Sequence, residues 1–139
     1  MIPKFRAWDR EKDRMIYPST TGVCFEMNDD GISVLDIDID YPNDYGFPKI
    51  ASILMQSTTL KDKNGVEIFE GDIVLVNVSN GFNHLVNEKT IVQESEFHSG
   101  LICKSLASGM EYRVFKRNEA GYEYEVIGNI YENPELLEE

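Results

Sequence analysis

The segment Leu60–Val78, LKDKNGVEIFEGDIVLVNV, constrains the fold of this 139-residue chain more than any other stretch. Turns at Lys63–Gly65 and Glu70–Asp72 enclose a short apolar run. Asp72–Val78 follows as a β-branched, almost continuously apolar segment, which is typical of a strand inside a sheet. The segment therefore predicts a hinge at which the chain folds back before it enters a β-structure.

Short alternating segments separated by turn residues recur at roughly ten-residue spacing, which favours a small barrel or sandwich over strand–helix–strand units. The expected strands are 4–8, 15–17, 22–27, 32–41, 72–78, 89–94, 100–107, 111–116 and 122–131; residues 49–56 fit a strand or a helix. We predict a mainly β protein with a small N-terminal β unit over 1–58 and a partly open β-barrel over 59–139. Asn133, Pro134 and Glu135 predict a short C-terminal helical turn, because they match an N-cap, a first helical position and an acidic first turn.

The segment ISVLDIDIDY, residues 32–41, has the most regular alternation and predicts a strand with one dry face and one acidic face. The dry face is expected to carry Leu35, Ile37 and Ile39, and the acidic face Asp36, Asp38 and Asp40. Alternating aspartates also begin an EF-hand loop, but position 6 of such a loop would be Tyr41 instead of Gly, and position 12 would be Phe47 instead of Glu. We therefore predict no metal site there.

The loop PNDYGFP, residues 42–48, is the segment best suited to touch a partner, because it combines Pro, Gly and aromatic residues. It completes a candidate interaction surface made of Trp8, Asp36, Asp38, Asp40, Tyr45 and Phe47. Solvated strand residues that deter edge pairing are the simpler explanation of the aspartates.

The net charge of -12 bears on the partner class. Residues 28–59 hold six acidic residues and one Lys, for -5, and residues 119–139 hold seven acidic residues and no Lys or Arg, for -7. Such a field repels nucleic acid phosphate and favours a basic protein partner, although solubility alone also explains it.

The sequence contains no glycine-rich nucleotide motif, P-loop or zinc spacing. His84 and His98 stand beside no nucleophile motif, and Cys24 and Cys103 are expected to be buried free thiols. We predict no catalytic, cofactor-binding or metal-binding residue. No apolar run is long enough to cross a membrane and the opening residues lack a secretion signal, so a cytoplasmic protein is expected.

Three stretches carry a family resemblance: PKFRAWDREKDRMIY at the start, LMQSTTLKDKNGVEIFEGDIV in the centre and YEVIGNIYENPELLEE at the end. Together they resemble the YopX-like family of phage and prophage proteins. The resemblance implies a phage or prophage gene product whose C-terminal half is an SH3-like barrel, with no established activity or catalytic residues. One departure is Thr59, where the family usually has Gly in a T-G-L-K-D stretch, and we expect an altered turn there.

As function we expect a non-enzymatic accessory protein, without cofactor, that binds another protein or itself as a homo-oligomer. One alternative is a nucleic-acid-associated small barrel that uses Trp8 and the basic residues around it. A second alternative is an enzyme with an unrecognised site.

The hinge itself predicts the effect of two substitutions. Gly71→Val should destabilise the fold, because Gly71 is expected to set the shape of the backbone. Asp62→Asn should leave stability nearly unchanged.

Overall fold

The computed structural model describes residues 4–38, 46–79, 84–114 and 121–138 of the chain. Nearly all of its regular structure is β, which confirms the predicted fold class. Its strands are β1 Phe5–Asp9, β2 Arg14–Ile16, β3 Val23–Asn28, β4 Gly31–Asp36, β5 Ser52–Lys61, β6 Glu67–Phe69, β7 Asp72–Ser79, β8 His84–Glu94, β9 Leu101–Ser105, β10 Glu111–Tyr112 and β11 Tyr122–Asn129. A 3-10 turn at Pro134–Leu137 follows β11, and it confirms the predicted helical turn.

The chain divides into two compact units. The N-terminal unit is Phe5–Met55, and the C-terminal unit is Met1–Lys4 together with Gln56–Glu139. Strand β5 begins in the first unit and ends in the second, and the hinge segment begins where β5 ends. Within the described ranges, no helix is long and apolar enough to span a membrane.

The N-terminal unit consists of two hairpins and the start of β5. Strands β1 and β2 pair antiparallel around the charged turn at residues 10–13, and β3 pairs with β4 around Asp29 and Asp30. Its buried core residues are Ala7, Ile16, Val23 and Val34, with Phe25, Ile50 and Leu54 packed against them. These residues are few, as expected of a unit of this length.

The C-terminal unit is built on a five-stranded sheet in the order β10-β9-β8-β7-β11, in which all neighbours are antiparallel. Strand β7 lies between β8 and β11, which confirms the predicted central strand. Alternate β7 residues pack with the facing strands into one core: Ile68, Val74, Val76, Val78, Val92, Cys103 and Tyr124.

The sheet curls into a half-barrel, which confirms the predicted partly open barrel. Tyr124 lies in the buried core of this sheet. Its hydroxyl, on the edge strand β11, donates to the carbonyl oxygen of Arg113 at 2.5 Å, just after the opposite edge strand β10. The curvature therefore brings the two edges of the sheet within hydrogen-bond reach.

The acidic segment differs from its prediction, because β4 ends at Asp36. Within β4, Val34 is 3% exposed, whereas Ile37 beyond the strand is 41% exposed, so the predicted dry face is wrong. Side chains two apart share a face, so Asp36 lies on the same side as buried Val34. Asp36 pairs with Val23, the first residue of β3, and just beyond the strand its Oδ1 accepts the backbone N–H of Asp38 at 3.0 Å.

The sequence left residues 49–56 open as a strand or a helix. In the structure residues 52–61 form strand β5. The pairing of β5 with β6 shifts register between Ser57 and Lys61, as at a β-bulge. Thr59 lies in this bulge with a φ of 64°, a region that glycine favours and β-branched residues rarely adopt. Thr59 therefore holds the left-handed conformation that the family's usual Gly would adopt without strain.

Candidate functional site

The predicted interaction surface falls in the N-terminal unit, and the structure describes four of its six residues. Trp8 is half-buried on β1, opposite Met15 of β2. Asp36 is half-buried, Asp38 is exposed, and Phe47 is 40% exposed. A hydrogen bond joins Asp36 and Asp38, whereas Trp8 comes from the other hairpin. Asp40 and Tyr45 lie outside the described residues.

The basic residues near Trp8 are partly committed to the fold. Arg6 is 4% exposed, and the Arg14 guanidinium donates to the carboxylate of Asp9 at 3.1 Å. Asp9, which is 2% exposed, also accepts the backbone N–H groups of Glu11 and Lys12. Burial raises the pKa of Asp9, but the bonds from Arg14, Lys12 and Glu11 outweigh it and hold the pKa below its usual 3.8. The bonds to Asp9 therefore stabilise the β1–β2 turn.

Two carboxylates of the hinge segment also accept hydrogen bonds from backbone N–H groups. Asp62 is 7% exposed, and its Oδ1 accepts the N–H groups of Asn64 and Val66, each at 2.9 Å. Its Oδ2 accepts the N–H of Val126 on β11, also at 2.9 Å, so the side chain joins the turn to a strand 64 positions away. These three bonds argue against the expectation that Asp62→Asn leaves stability nearly unchanged. Asp72, 2% exposed, accepts the N–H of Phe69 in the same way.

An open hollow of about 740 Å³ lies in the C-terminal unit, between the connection from β8 to β9 and the connection from β9 to β10. We call it the β9–β10 groove, and the lining residues that matter below are Phe97, His98, Leu101, Met110, Glu111 and Arg113. Phe97 is 75% exposed and Met110 is 59% exposed. Sequence reasoning missed this surface; the only cue in the sequence was a Phe within the polar run ESEFHSG.

One wall of the groove is held by Glu111. Its Oε1 accepts the hydroxyl of Ser95 at 2.6 Å, and its Oε2 accepts the backbone N–H of Glu96 at 2.9 Å. The bond from Ser95, followed by the bond from Glu96 and the charges of Lys104 and His98, lowers the pKa of Glu111. Lys104 also pairs with the carboxylate of Glu96 at 2.6 Å. The connection from β8 to β9 is thus joined to β9 through Lys104 and to β10 through Glu111.

Ser95, His98 and Glu111 are the residue types of a hydrolase triad, but their hydrogen bonds stabilise the loop after β8. The Ser95 hydroxyl donates to Glu111 and accepts the backbone N–H groups of Phe97 and His98, at 3.0 and 2.9 Å. A nucleophilic serine would instead donate to an imidazole nitrogen.

The groove also contains two basic side chains, Arg113 and His98. The guanidinium of Arg113 and the imidazole of His98 make no ion pair or side-chain hydrogen bond with any residue that the structure describes. The groove therefore combines two exposed apolar side chains with a guanidinium and an imidazole that have no ion partner in the part of the chain that the structure describes, a combination suited to binding a carboxylate beside an apolar group.

Neither cysteine contributes to the groove. Both are free thiols; Cys103 is buried as predicted, whereas Cys24 is exposed, which makes the prediction wrong for Cys24. Burial raises the pKa of Cys103 to about 12, so it stays protonated at neutral pH. No group of three or more His, Cys, Asp or Glu side chains within the described ranges is placed to hold a metal ion.

Comparison with known proteins completes the description. A family model described as YopX protein matches residues 4–138. The crystal structure of protein EF1440 from Enterococcus faecalis is 30% identical over 99% of each chain, with a TM-score of 0.58. The crystal structure of yopX from Bacillus subtilis has the same fold at 20% identity, covers 98% of this chain and 96% of that one, and has a TM-score of 0.64. No curated protein matches the chain.

Proposed function

The chain belongs to the YopX family, and we propose that it is a non-enzymatic accessory protein of phage or prophage origin that binds another protein through the β9–β10 groove. It would act without a cofactor in the bacterial cytoplasm. The observation that carries this proposal is the exposure of Phe97 and Met110 on the rim of an open hollow.

Physical chemistry supports a protein partner at this place. Covering the side chain of a Phe stabilises a complex by roughly 1.5–3 kcal/mol, and aromatic residues, Met and Arg are enriched where proteins bind one another. The groove offers all three types, in Phe97, Met110 and Arg113, above the half-buried Leu101. A partner that covers them removes apolar surface from water and meets a cation at the same contact.

The non-enzymatic part of the proposal is supported by the state of the groups that chemistry would need. The Ser95 hydroxyl and both carboxylate oxygens of Glu111 already form hydrogen bonds that stabilise the loop after β8. The Cys103 thiol is 0% exposed and has a pKa of about 12. An enzyme remains a lower-ranked proposal.

Nucleic acid ranks below a protein partner for two reasons. The chain carries a net charge of -12, which opposes the approach of a polyphosphate backbone. Around Trp8, Arg6 is buried and Arg14 is paired with Asp9, which leaves fewer cations for phosphate than the sequence implies.

Site-specific photocrosslinking tests the proposal. We would place benzoylphenylalanine at position 97 of the full chain, and as a matched control at Val86, which is 66% exposed but does not line the groove. In bacterial cells that express the protein, position 97 should give a discrete protein adduct that Arg113→Ala weakens, and position 86 should not. Absence of adducts at position 97, or equal adducts at both positions, would contradict the proposal.

A further inference from the structure

The C-terminal turn carries exposed carboxylates beside an apolar side chain, which complement the basic and apolar side chains of the β9–β10 groove. None of the residues of the turn Pro134–Leu137 is buried. Leu137 is 37% exposed, and the carboxylates of Glu135 and Glu138 on either side of it are exposed. The turn is anchored through its backbone, because the carbonyl oxygen of Leu136 accepts the Nζ of Lys89 at 2.7 Å. An apolar side chain flanked by two carboxylates is therefore held at the surface on a fixed backbone.

The groove has the opposite character. Phe97 and Met110 provide exposed apolar contact area, and Arg113 and His98 provide a cation and an imidazole without an ion partner among the described residues. Glu111, the acidic residue of the lining, is occupied by Ser95 and Glu96, so it does not neutralise Arg113 by pairing with it. Arginine binds carboxylates in a planar, two-bond geometry, which suits it to Glu135 or Glu138.

We infer that the occupant of the groove is the turn Pro134–Glu138 of a second copy of this chain. The inference rests on the proposed function and names the partner at that site. Leu137 packs on Phe97 and Met110, while a carboxylate of Glu135 or Glu138 pairs with Arg113. A nucleic acid would supply anionic groups without the apolar contact, so it fits the groove less well.

The contact is head-to-tail. In its own chain the turn lies over a separate hollow of about 190 Å³, which shares no lining residue with the groove. Each copy therefore offers one groove and one turn, and a contact between different surfaces generates closed rings or open chains instead of a symmetric pair. Repulsion between copies of net charge -12 opposes the contact, which predicts weak association that depends on protein concentration.

Sedimentation of the full chain at increasing concentration tests this inference with two variants. The groove variant carries Arg113→Ala and Met110→Ser, and the turn variant carries Glu135→Gln, Leu137→Ser and Glu138→Gln. All these side chains are at least partly exposed, and unchanged thermal melts would verify that both variants fold. The natural chain should associate, and each variant should weaken association by at least about tenfold, whereas Val86→Ser should not.

Mixing the two variants gives the decisive result. The groove variant keeps an intact turn, and the turn variant keeps an intact groove, so the mixture should form a one-to-one pair that cannot grow further. A natural chain that stays monomeric, variants that associate like the natural chain, or a mixture that stays monomeric would each overturn the inference. If position 97 nevertheless crosslinks to a different protein, the proposed function stands without this occupant; if it crosslinks to nothing, both fail.

Discussion

Asp62 and Asp38 both lie in turns of an acidic chain, but their carboxylates have opposite surroundings. Asp62 is 7% exposed and accepts three backbone N–H groups, from Asn64, Val66 and Val126. Asp38 is exposed to solvent. A buried N–H that loses its acceptor costs about 1–3 kcal/mol, whereas an exposed carboxylate exchanges one water contact for another. The difference teaches that the number of acidic residues in a stretch does not reveal which of them stabilise the fold.

Other aspartates can also be sorted into buried carboxylates that accept backbone N–H groups and more exposed ones. Asp9 and Asp72 resemble Asp62, because each is 2% exposed and accepts backbone N–H groups at a turn. Asp36 is intermediate, since it is half-buried and its carboxylate accepts the N–H of Asp38, two residues further on. Buried turn aspartates are thus structural residues in both units.

The largest effect is expected from Asp62→Asn, which should lower the free energy of unfolding by about 2–3 kcal/mol. An asparagine keeps one acceptor oxygen, and its NH₂ group would face either the N–H of Val126 or those of the turn. Asp38→Asn is the matched control, with an expected change below about 0.5 kcal/mol. Urea unfolding followed by circular dichroism measures both, and equal effects would remove the distinction between the two carboxylates.

Gly71→Val should lower the free energy of unfolding by about 2 kcal/mol. This variant tests the backbone conformation of the hinge without changing any of its carboxylates. Gly71 has a φ of 88°, where a β-branched side chain is strained. Its N–H donates to Val92 and its carbonyl accepts from Ile130, so the backbone is not free to relax. Gly71→Ala should cost less than Gly71→Val in the same unfolding measurement, and the reverse order would argue against backbone strain.

Thr59→Gly should stabilise the protein by up to about 1 kcal/mol. Relief of the left-handed conformation contributes about 1–2 kcal/mol, which the flexibility of Gly in the unfolded chain partly offsets by about 0.5–1 kcal/mol. The neighbouring Thr58→Gly is the control and should destabilise, because the Thr58 hydroxyl donates to the carbonyl of Ile68 at 2.7 Å. A loss of stability in Thr59→Gly would show that the threonine side chain matters more than its backbone strain.

The last prediction concerns how stability changes with pH, not how large it is at neutral pH. The folded pKa of Asp9 lies below its usual 3.8, so its contribution to stability is fully present above that value and is lost as pH falls through the lower folded pKa. Asp9→Asn should therefore reduce the loss of stability that occurs as pH falls below 3.8. A pH dependence equal to that of the natural chain would contradict the assignment to Asp9.

Local patterns predicted those parts of the fold that depend on neighbours in the chain. Alternation and β-branched residues indicated the strands, and Gly71 indicated a turn that the positive φ confirms. The family resemblance marked Thr59, and the structure supplies the reason, because the residue lies in a bulge whose backbone favours Gly.

The candidate site was not predictable in the same way. The groove forms only where the loop after β8 and the loop after β9 come together, and the residues that shape it, such as Ser95 and Glu111, are 16 positions apart. The alternation in residues 32–41 was also misleading, because it does not show that β4 ends at Asp36 or that the carboxylate of Asp36 accepts the N–H of Asp38. Local hydrogen bonding there competes with the pairing that alternation favours.

The sequence by itself determined a mainly β chain, a central strand at Asp72–Val78 and a hinge before it, because turn chemistry and side-chain alternation act over a few residues. Only the tertiary structure decided that Asp62 belongs to the fold and that Phe97, Met110 and Arg113 share an open groove. Those roles depend on which distant backbone groups become buried and which side chains stay uncovered, and strand pairing across the whole unit sets both.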